Sequence, residues 1–319
     1  MRNVLLGVFS LTLLACEPEA ELPRYDPVVV WASYEDETYL RDLFADFTAE
    51  SRLPVTVKYA KSELHLYNLI ENIGAEPADV FLSRNIADLW RAADEGALRP
   101  IQANNLKNVP PSLKDGDNLW TAINYQTSVI VHAAEAHGPL PLTFSELAGK
   151  AFESRVCLST SRLSTNLEIV AMLSGEIDTT PAERVVRGWV SNLAKAPFRT
   201  EQLLLDAVAS GECELAVLSG WAVADLEVNT DSNFEMIRPE PAFKQIEGVG
   251  VGRHSRYPQS AYALVDWLLS DQANKRHASN IGAYAVSDDR HLNPSAQPVA
   301  VAGWRHDEAK LLVERAGYR

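Results

Sequence analysis

The sequence predicts an α/β fold of two lobes, each arranged around a doubly wound sheet. Strand-like and helix-like segments alternate from residue 28 onward, which is typical of sheets covered by helices. The chain has 319 residues, enough for two lobes of ordinary size. Beyond the first 15 residues, no apolar stretch is long enough to span a membrane as a helix.

The alternation is clearest in the first predicted lobe. The apolar runs "VVVWA", "VTVKYA" and "ADVFLS" predict three strands, and a segment with helical spacing follows each of them. In the first of these helices Leu40, Leu43, Phe44 and Phe47 share one face, which predicts that this face is buried. Asn85 precedes the third helix and is a predicted N-cap.

Three later helix starts carry the capping-box pattern, a threonine followed three residues later by a glutamate. These pairs are Thr143 with Glu146, Thr165 with Glu168, and Thr180 with Glu183.

Further on, "EGVGVGRHS" predicts a glycine-rich strand and "PQSAYALVDWLLSDQANKRHAS" predicts one long helix. No change in composition marks a linker between the lobes, which is expected if the chain crosses between them more than once.

The stretch "GECELAVLSGWAVADLE" at residues 211–227 predicts a turn, a buried strand and the start of a helix capped by Ser219. Its strand ends at the edge of the sheet where α/β proteins bind their ligands. Trp221 at this edge offers an apolar face and one N–H donor. It is predicted either to pack between the lobes or to stack on an organic ligand.

The N-terminus predicts export and a lipid anchor. Residues 1–15 contain one basic residue, Arg2, followed by an apolar run, as in a secretory signal. The run ends in "LLAC", which resembles the lipobox of bacterial lipoproteins and implies lipid attachment to Cys16; the alternative is an ordinary cleaved signal. Residues 16–27 form a polar, proline-containing tether. The predicted location is the periplasm, with the lipid as the contact with a bacterial membrane.

The charge and the cysteine content exclude some classes of function and predict a disulfide. The formal net charge of −14 argues against a nucleic-acid partner, because phosphate binding needs a basic surface. After Cys16 the chain contains Cys157 and Cys213, and each stands at the start of a strand-like run. In an oxidising compartment they are predicted to form a disulfide between neighbouring strands, with two buried free thiols as the alternative. Neither has the sequence surroundings of a catalytic thiol.

The seven histidines show none of the spacings typical of zinc sites, and the sequence lacks phosphate-binding-loop and serine-hydrolase motifs. The candidates for ligand binding instead stand at predicted strand ends and helix starts, where N–H groups and hydroxyls can hold an anion. They are Ser33, Tyr34 and Glu35 after the first strand, Ser161, Arg162, Ser164 and Thr165 before a middle helix, and Arg199 before another helix. The structural alternatives are helix capping, helix-dipole compensation and surface ion pairing.

Several stretches, in order along the chain, resemble the periplasmic solute-binding proteins of ferric-iron ABC importers. They include "ADVFLSRNIADLWRAADEGALRPI", "VPPSLKDGDNLWTAINYQTSVIVH", "AVASGECELAV" and "LVERAGY". The resemblance implies the two-lobed periplasmic-binding-protein fold of type II, which closes over its ligand around a hinge. It also implies a non-enzymatic monomer without a cofactor, Fe³⁺ as the ligand, and an ABC permease with its ATPase as partners.

The resemblance and the pattern of elements together predict the domain boundaries. They place lobe 1 at 28–107, lobe 2 at 108–244, a return to lobe 1 at 245–285, and a C-terminal segment at 286–319 that packs back on lobe 2. The signal at 1–15 and the tether at 16–27 precede these lobes. The chain is therefore expected to cross between the lobes repeatedly.

The family's iron-binding residues match this sequence in part. Ferric-binding members have two or three consecutive tyrosines after the strand that corresponds to "LAVL", and this chain has Ser219, Gly220 and Trp221 there. Tyr125 matches one family tyrosine, so Tyr125 and Glu35 are the candidate metal ligands. The alternative is that the same fold binds a ferric chelate or a different small anionic solute. A periplasmic enzyme and a sensor or scaffold lipoprotein are further alternatives.

Overall fold

The computed structural model describes residues 27–33, 38–74, 77–134, 138–224, 234–288, 290 and 297–319. The first elements are β1 (Val28–Ala32), α1 (Thr38–Ser51), β2 (Val55–Tyr59), α2 (Ser62–Ile70), β3 (Val80–Ser83), α3 (Ile86–Asp94), β4 (Leu98–Arg99), β5 (Trp120–Thr127), β6 (Val129–Ala133) and β7 (Val156–Cys157). They are followed by α4 (Ser164–Ile177), α5 (Thr179–Ser191), α6 (Glu201–Ala209), β8 (Leu215–Leu218), α7 (Gly220–Val223), β9 (Phe234–Ile237), β10 (Lys244–Gly252), α8 (Pro258–Leu268), α9 (Asp271–Asn280), β11 (Tyr284–Ala285), α10 (Ala300–Trp304) and α11 (His306–Ala316). The predicted α/β class is confirmed. Among the described residues, no helix has the length and apolar character that crossing a membrane requires.

The first sheet has seven strands. They follow the order β11-β5-β10-β3-β1-β2, and β4 pairs with β10. β1 runs parallel to β2 and β3, as the strand–helix alternation of this region predicts. β10 runs antiparallel to β3 and β5, so the sheet is mixed. The carboxyl ends of β1 and β3 therefore lie side by side at one edge of this sheet.

The second sheet has four strands in the order β7-β8-β6-β9. β7 and β8 are parallel, and β6 is antiparallel to both β8 and β9. The predicted disulfide is confirmed: Cys157 in β7 is bonded to Cys213 just before β8, with Cα atoms 6.0 Å apart. Neighbouring strands of one sheet thus bring the two sulfurs together.

Two crossing segments carry the chain between the sheets. The first is Ser128, which separates β5 of the first sheet from β6 of the second. The second is the stretch 238–243, which leads from β9 back to β10. The Ser128 N–H donates to the Phe243 carbonyl oxygen at 2.9 Å, so the two crossings lie against each other. The first crossing falls inside the range 108–244 predicted for lobe 2, because β5 adds to the first sheet.

The C-terminal helices lie between the two parts of the molecule. α10 packs against α3 and α4, and α11 packs against α4 and α5. The last segment of the chain thus contacts helices that belong to both predicted lobes.

Two hydrophobic cores share the second sheet. β8 shows the division, because Leu215 and Val217 belong to one cluster while Ala216 and Leu218 belong to the other, as expected for side chains that alternate across a strand. The first cluster continues through the first sheet and its helices and is named here the main core. The second lies between the opposite face of the sheet and helices α6 and α7, contains the disulfide, and is named the small core.

Three local predictions were wrong. The stretch predicted as one long helix forms α8 and α9, because Ser270 between them has an extended backbone and its hydroxyl donates to the Trp267 carbonyl oxygen at 2.7 Å. Thr165 does not cap α4, since the helix already begins one residue earlier and Glu168 contacts another helix instead. Thr180 likewise lies inside α5 and makes no cap.

Candidate functional site

The carboxyl ends of β1 and β3 form one side of the candidate site. The Ser33 N–H donates to the Leu82 carbonyl oxygen at 3.0 Å, which joins the two strand ends. Ser83 Oγ accepts the Asn85 N–H at 3.0 Å. Asn85 caps α3, as predicted, by accepting the N–H two residues further on at 3.0 Å. Arg84 stands between these two residues, so its backbone has a fixed place at the end of the strand.

The end of β8 forms the opposite side. The Ser219 N–H and hydroxyl donate to the Glu201 carboxylate at 2.6 and 2.7 Å. Ser219 Oγ also accepts the Ala222 N–H at 3.3 Å, so Ser219 caps α7, as predicted. Burial raises the pKa of the Glu201 carboxyl, and the two bonds from Ser219 oppose that shift. This network gives the start of α7 a fixed place beside α6.

Arg84 and Trp221 connect the two sides. The Arg84 Cζ lies 4.9 Å from the centroid of the Trp221 ring, which is a cation–π contact. Arg84 follows a strand of the first sheet and Trp221 follows a strand of the second, so the contact spans the space between the lobes. Both side chains are half-buried. Trp221 thus packs between the lobes here, and its stacking on a ligand stays a prediction.

Gly220 lies against the first crossing segment. A Cβ at this position would be 2.6 Å from the Gln126 side-chain oxygen and 2.6 Å from the Thr127 carbonyl oxygen. Side-chain carbons do not approach other atoms that closely, so any residue larger than glycine would displace α7 or β5. At position 220, where the resemblance implies a tyrosine, the backbone of α7 lies too close to β5 for a side chain.

Glu168 is a buried acid between α4 and α3. Its Oε1 accepts the Ile86 N–H at 3.3 Å. The residue is 1% exposed, and burial raises the pKa of its carboxyl to about 8. On α3, the Asp88 carboxyl has a pKa raised to about 7, first by burial and then by the charge of Glu63. Near neutral pH Glu168 therefore favours its protonated form, and Asp88 is close to half-protonated.

A cavity of about 500 Å³ opens between α2 and α3 on one side and α4 and α11 on the other. Its polar lining includes Glu63, Asp88, Arg91, Arg162, Ser164 and Lys310. His306 also borders the cavity, and burial lowers the pKa of its imidazole to about 4, so the ring is neutral at pH 7. The structure thus brings two predicted candidates, Arg162 and Ser164, to one cavity with charges of both signs.

Tyr125 lies inside the protein. It is fully buried in β5, and its hydroxyl donates to the Asp288 carbonyl oxygen at 2.7 Å. Its ring centroid is 5.3 Å from that of Tyr284 on the neighbouring strand. Coordination of a metal by the Tyr125 oxygen would require this hydrogen bond to break, and the role stays a prediction.

The remaining candidates are spread around α4 and α6. Ser161 is buried and its hydroxyl donates to the Tyr318 carbonyl oxygen at 3.1 Å. Thr165 lies in the first turn of α4, where its carbonyl oxygen accepts the Gln245 side-chain N–H at 3.3 Å. Arg199 is exposed before α6. Tyr34, Glu35 and Cys16 lie outside the described residues.

Three residues of the site did not stand out in the sequence. Arg84 directly follows a buried strand, and a charged residue at a strand end is a usable signal. Glu168 interrupts the apolar stretch "LEIVAML", but the capping-box pattern gave it a different role. Glu201 gave no signal, because an acid in the first turn of a helix is expected there anyway. Within the described ranges, no group of three or more His, Cys, Asp or Glu side chains is placed to hold a metal ion.

The two sheets, the crossing segments and the polar space between the lobes define a two-lobed ligand-binding protein. The chain belongs to the family of bacterial extracellular solute-binding proteins, whose family model matches residues 75–307. Iron uptake protein A1 of Synechocystis sp. (strain ATCC 27184 / PCC 6803 / Kazusa) is 30% identical over 271 residues, which are 80% of this chain and 74% of that protein. The Fe(3+)-binding periplasmic protein of Serratia marcescens is 22% identical over 292 residues, which are 88% of this chain and 85% of that protein.

Solved structures share the fold. The Trichodesmium protein IdiA (FutA), in complex with iron and citrate ligands, has a TM-score of 0.83 and 23% identity, covering 92% of this chain and 100% of that one. The ferric binding protein from Campylobacter jejuni has a TM-score of 0.80 and 18% identity, with the same coverage. The type II periplasmic-binding-protein fold implied by the sequence is thereby confirmed.

Proposed function

We propose that this chain captures ferric iron outside the cytoplasm and delivers it to an ABC importer. The observation that carries the proposal is the 30% identity to Iron uptake protein A1 over 80% of this chain. The relationship to the Fe(3+)-binding periplasmic protein of Serratia marcescens supports the same cargo. Two lobes with a polar space between them suit a protein that encloses a small ligand by closing.

The proposal includes the protein's partners and its place in the cell. A permease and its ATPase receive the cargo, a lipid on Cys16 holds the monomeric protein at a bacterial membrane, and the chain itself catalyses no reaction. The two lobes, joined at Ser128 and at residues 238–243, are the parts that move relative to each other, so lobe 2 begins near 128 and not near 108. Tyr125 and Glu35 are the proposed iron ligands, because a hard trivalent cation favours anionic oxygens.

Iron retention by the purified protein tests the cargo. The Cys16→Ser chain, which lacks the lipid, is freed of metal with a chelator and mixed with ferric citrate, ferric nitrilotriacetate or zinc chloride. After desalting, we expect stoichiometric iron from a ferric mixture and no retained zinc. The same chain unfolded in urea is the control for non-specific binding. If the protein retains iron from neither ferric complex, the proposed cargo is wrong.

Cell fractionation tests the anchor. Wild-type protein is expected in the membrane fraction, and Cys16→Ser is expected either in the soluble fraction or unprocessed. A Cys16→Ser protein that stays with membranes at the wild-type mature mass would contradict lipidation.

A further inference from the structure

We propose that closing of the two lobes takes up a proton on Glu168, and that this buried carboxyl, in its protonated form, fastens the lobes to each other. The inference rests on the closing of the lobes, which is part of the proposed function, and not on the identity of the cargo. It assigns Glu168 a regulatory role, because the closed arrangement becomes less stable as pH rises.

Glu168 lies in a contact between elements of the two lobes. It belongs to α4, which follows β7 of the second sheet. Its Oε1 accepts the Ile86 N–H at 3.3 Å, and Ile86 begins α3, which follows β3 of the first sheet. The side chain of Gln245, in β10 of the first sheet, is hydrogen-bonded to the same carboxyl. The carboxyl therefore joins lobe 2 to two elements of lobe 1.

The hydrogen bonding around this carboxyl is complete only when it carries a proton. Glu168 Oε2 and Gln245 Oε1 are both buried, and within the described residues neither accepts a hydrogen bond. The Gln245 amide is held in place, since its N–H donates to the Thr165 carbonyl oxygen at 3.3 Å. A proton on Oε2 makes this oxygen a donor for Gln245 Oε1, while Oε1 of Glu168 still accepts the Ile86 N–H. Protonation thus satisfies two buried oxygens that are costly to leave unpaired.

The surroundings oppose a negative charge on Glu168. The residue is 1% exposed, and burial raises the pKa of its carboxyl to about 8, although the hydrogen bonds from Ile86 and Gln245 oppose that shift. The charges that raise the pKa further are those of Asp88 on α3 and Glu201 on α6. An ionised Glu168 is therefore destabilised in the closed arrangement, first by lost hydration and then by repulsion from these acids.

The cations on the elements around α4 are engaged elsewhere. Helices α5, α10 and α11 pack against α4, and their ion pairs join Arg187 and Arg315 to Glu183, Arg305 to Glu308, and Lys310 to Asp307. His306 at the start of α11 has a neutral ring, because burial lowers its pKa to about 4. On β10, Glu247 is bonded to His277 at 3.0 Å, and burial lowers the pKa of the Lys244 amine. In the described part of the chain, none of these ion pairs includes Glu168.

These contacts link the closing of the lobes to pH. When α4 separates from α3 and β10, water returns to the Glu168 carboxyl and its pKa moves toward the ordinary value of 4.5. The closed form then binds more protons than the open form between about pH 4.5 and 8. The contribution of Glu168 to closing is complete below about pH 4.5 and is lost as pH rises toward 8. A ligand that binds the closed form acquires the same dependence.

Small-angle X-ray scattering of the iron-free Cys16→Ser chain tests this inference. The measured quantity is the radius of gyration at pH 5.5 and at pH 8.5, which is larger for open lobes. We expect the radius of the wild-type site to increase with pH. Glu168→Gln is expected to reduce that increase by more than half, because its amide can donate in place of the protonated acid, and the acids Asp88 and Glu201 account for the rest.

Two further variants complete the experiment. Glu168→Met, which is also uncharged, is expected to reduce the increase in the same way, and it replaces Glu168→Gln if the amide does not fold. Glu176→Gln lies on the same helix but is exposed, so it is expected to follow the wild-type site. Thermal unfolding of every variant at both pH values establishes that it is folded.

Affinity for ferric citrate provides a second measurement. The ratio of the Glu168→Gln affinity to the wild-type affinity is taken at each pH, so the pH dependence of the iron complex itself cancels. We expect this ratio to increase about tenfold between pH 5.5 and pH 8.5, since each unit by which the closed-state pKa exceeds the open-state pKa changes closing tenfold. The same ratio for Glu176→Gln is expected to stay constant.

Two results would overturn the inference. The first is a wild-type radius of gyration that does not increase between pH 5.5 and pH 8.5. The second is a folded Glu168→Gln or Glu168→Met chain that keeps the whole wild-type increase. If ferric citrate does not bind at either pH, the proposed cargo is contradicted, and scattering from the iron-free chain still decides the role of Glu168.

Discussion

The main core and the small core adjoin the same sheet but are held together differently. The main core runs through the first sheet and contains large, fully buried side chains such as Trp120 and Phe81. The small core consists of aliphatic side chains and the two cysteines, packed between one sheet face and α6 and α7. A small core buries too little apolar surface to be stable by itself, and a covalent link offsets that deficit. An oxidising compartment therefore matters for the stability of the small core, which contains the disulfide, and not for the packing of the main core, which contains none.

Removal of the disulfide is expected to destabilise the small core. The Cys157→Ala/Cys213→Ala chain is expected to lose up to about 4 kcal/mol of unfolding free energy, because the bond closes a loop with a sequence separation of 56 residues. Urea unfolding followed by circular dichroism measures the loss. A reductant should destabilise the wild type by a similar amount and leave the double variant unchanged. A loss below about 1 kcal/mol would mean that the small core is stable without its link.

Equal truncations in the two cores test whether the cores differ in rigidity. Leu82 in the main core and Leu218 in the small core are both fully buried. Leu82→Ala is expected to cost about 3 kcal/mol and Leu218→Ala about 2 kcal/mol, because the thin layer of α6 and α7 can settle into the space. Urea unfolding under oxidising conditions measures both. A larger loss for Leu218→Ala would show that the small core is the more rigid of the two.

The buried acid Glu168 should make stability depend on pH. Its folded pKa of about 8 lies above its ordinary value of 4.5, so the folded protein binds more protons than the unfolded chain between these values. Stability from this group is therefore present below about pH 4.5 and declines as pH rises toward 8. Glu168→Gln is expected to reduce that decline, while the part caused by the raised pKa values of the Asp88 and Glu201 carboxyls remains, and to be more stable than the wild type by about 1–2 kcal/mol at pH 8.

Glu176 offers a matched control for this pH experiment. It lies on the same helix but is exposed. Glu176→Gln should follow the wild-type pH dependence, measured as the urea midpoint from pH 5 to pH 8.5. A Glu168→Gln chain that still follows the wild-type curve would show that another group causes the decline.

The smallest expected effect concerns an ion pair near the disulfide. Arg155 donates to both carboxylate oxygens of Glu214, at 2.8 and 2.5 Å, and both side chains are partly exposed. Glu214→Gln is expected to cost about 1 kcal/mol, and the cost should shrink in high salt. Chemical unfolding at low and high salt measures this. A cost that does not change with salt would argue against an electrostatic contribution.

The fold was predictable where the signal is local. Apolar runs of four or five residues predicted β1, β3 and β8. Asn85 caps the helix after β3, and Ser219 caps the helix after β8. The disulfide followed from two cysteines placed at strand starts in an exported chain. These features depend on neighbouring residues and on the compartment, and both can be inferred from the sequence.

The site was less predictable because its contacts join distant parts of the chain. Arg84 meets Trp221 across 137 positions by their residue numbers, and Glu168 meets Ile86 across 82. The capping-box pattern at Thr165 and Glu168 failed for the same reason, since a contact with another helix replaced the local one. Sequence periodicity indicates which side chains are buried but not which buried partner they meet.

The close packing at Gly220 restricts how this site can change over evolutionary time. Any substitution at that codon places a carbon atom 2.6 Å from the Gln126 side chain and the Thr127 backbone. A trimmed side chain at 126 would relieve one clash, but the second involves the main chain and needs a shift of the strand itself. An oxygen ligand at this position therefore needs a second change that moves β5. A single substitution there would instead disturb the packing of α7 against β5, so the cleft can change its chemistry at this point only through paired substitutions.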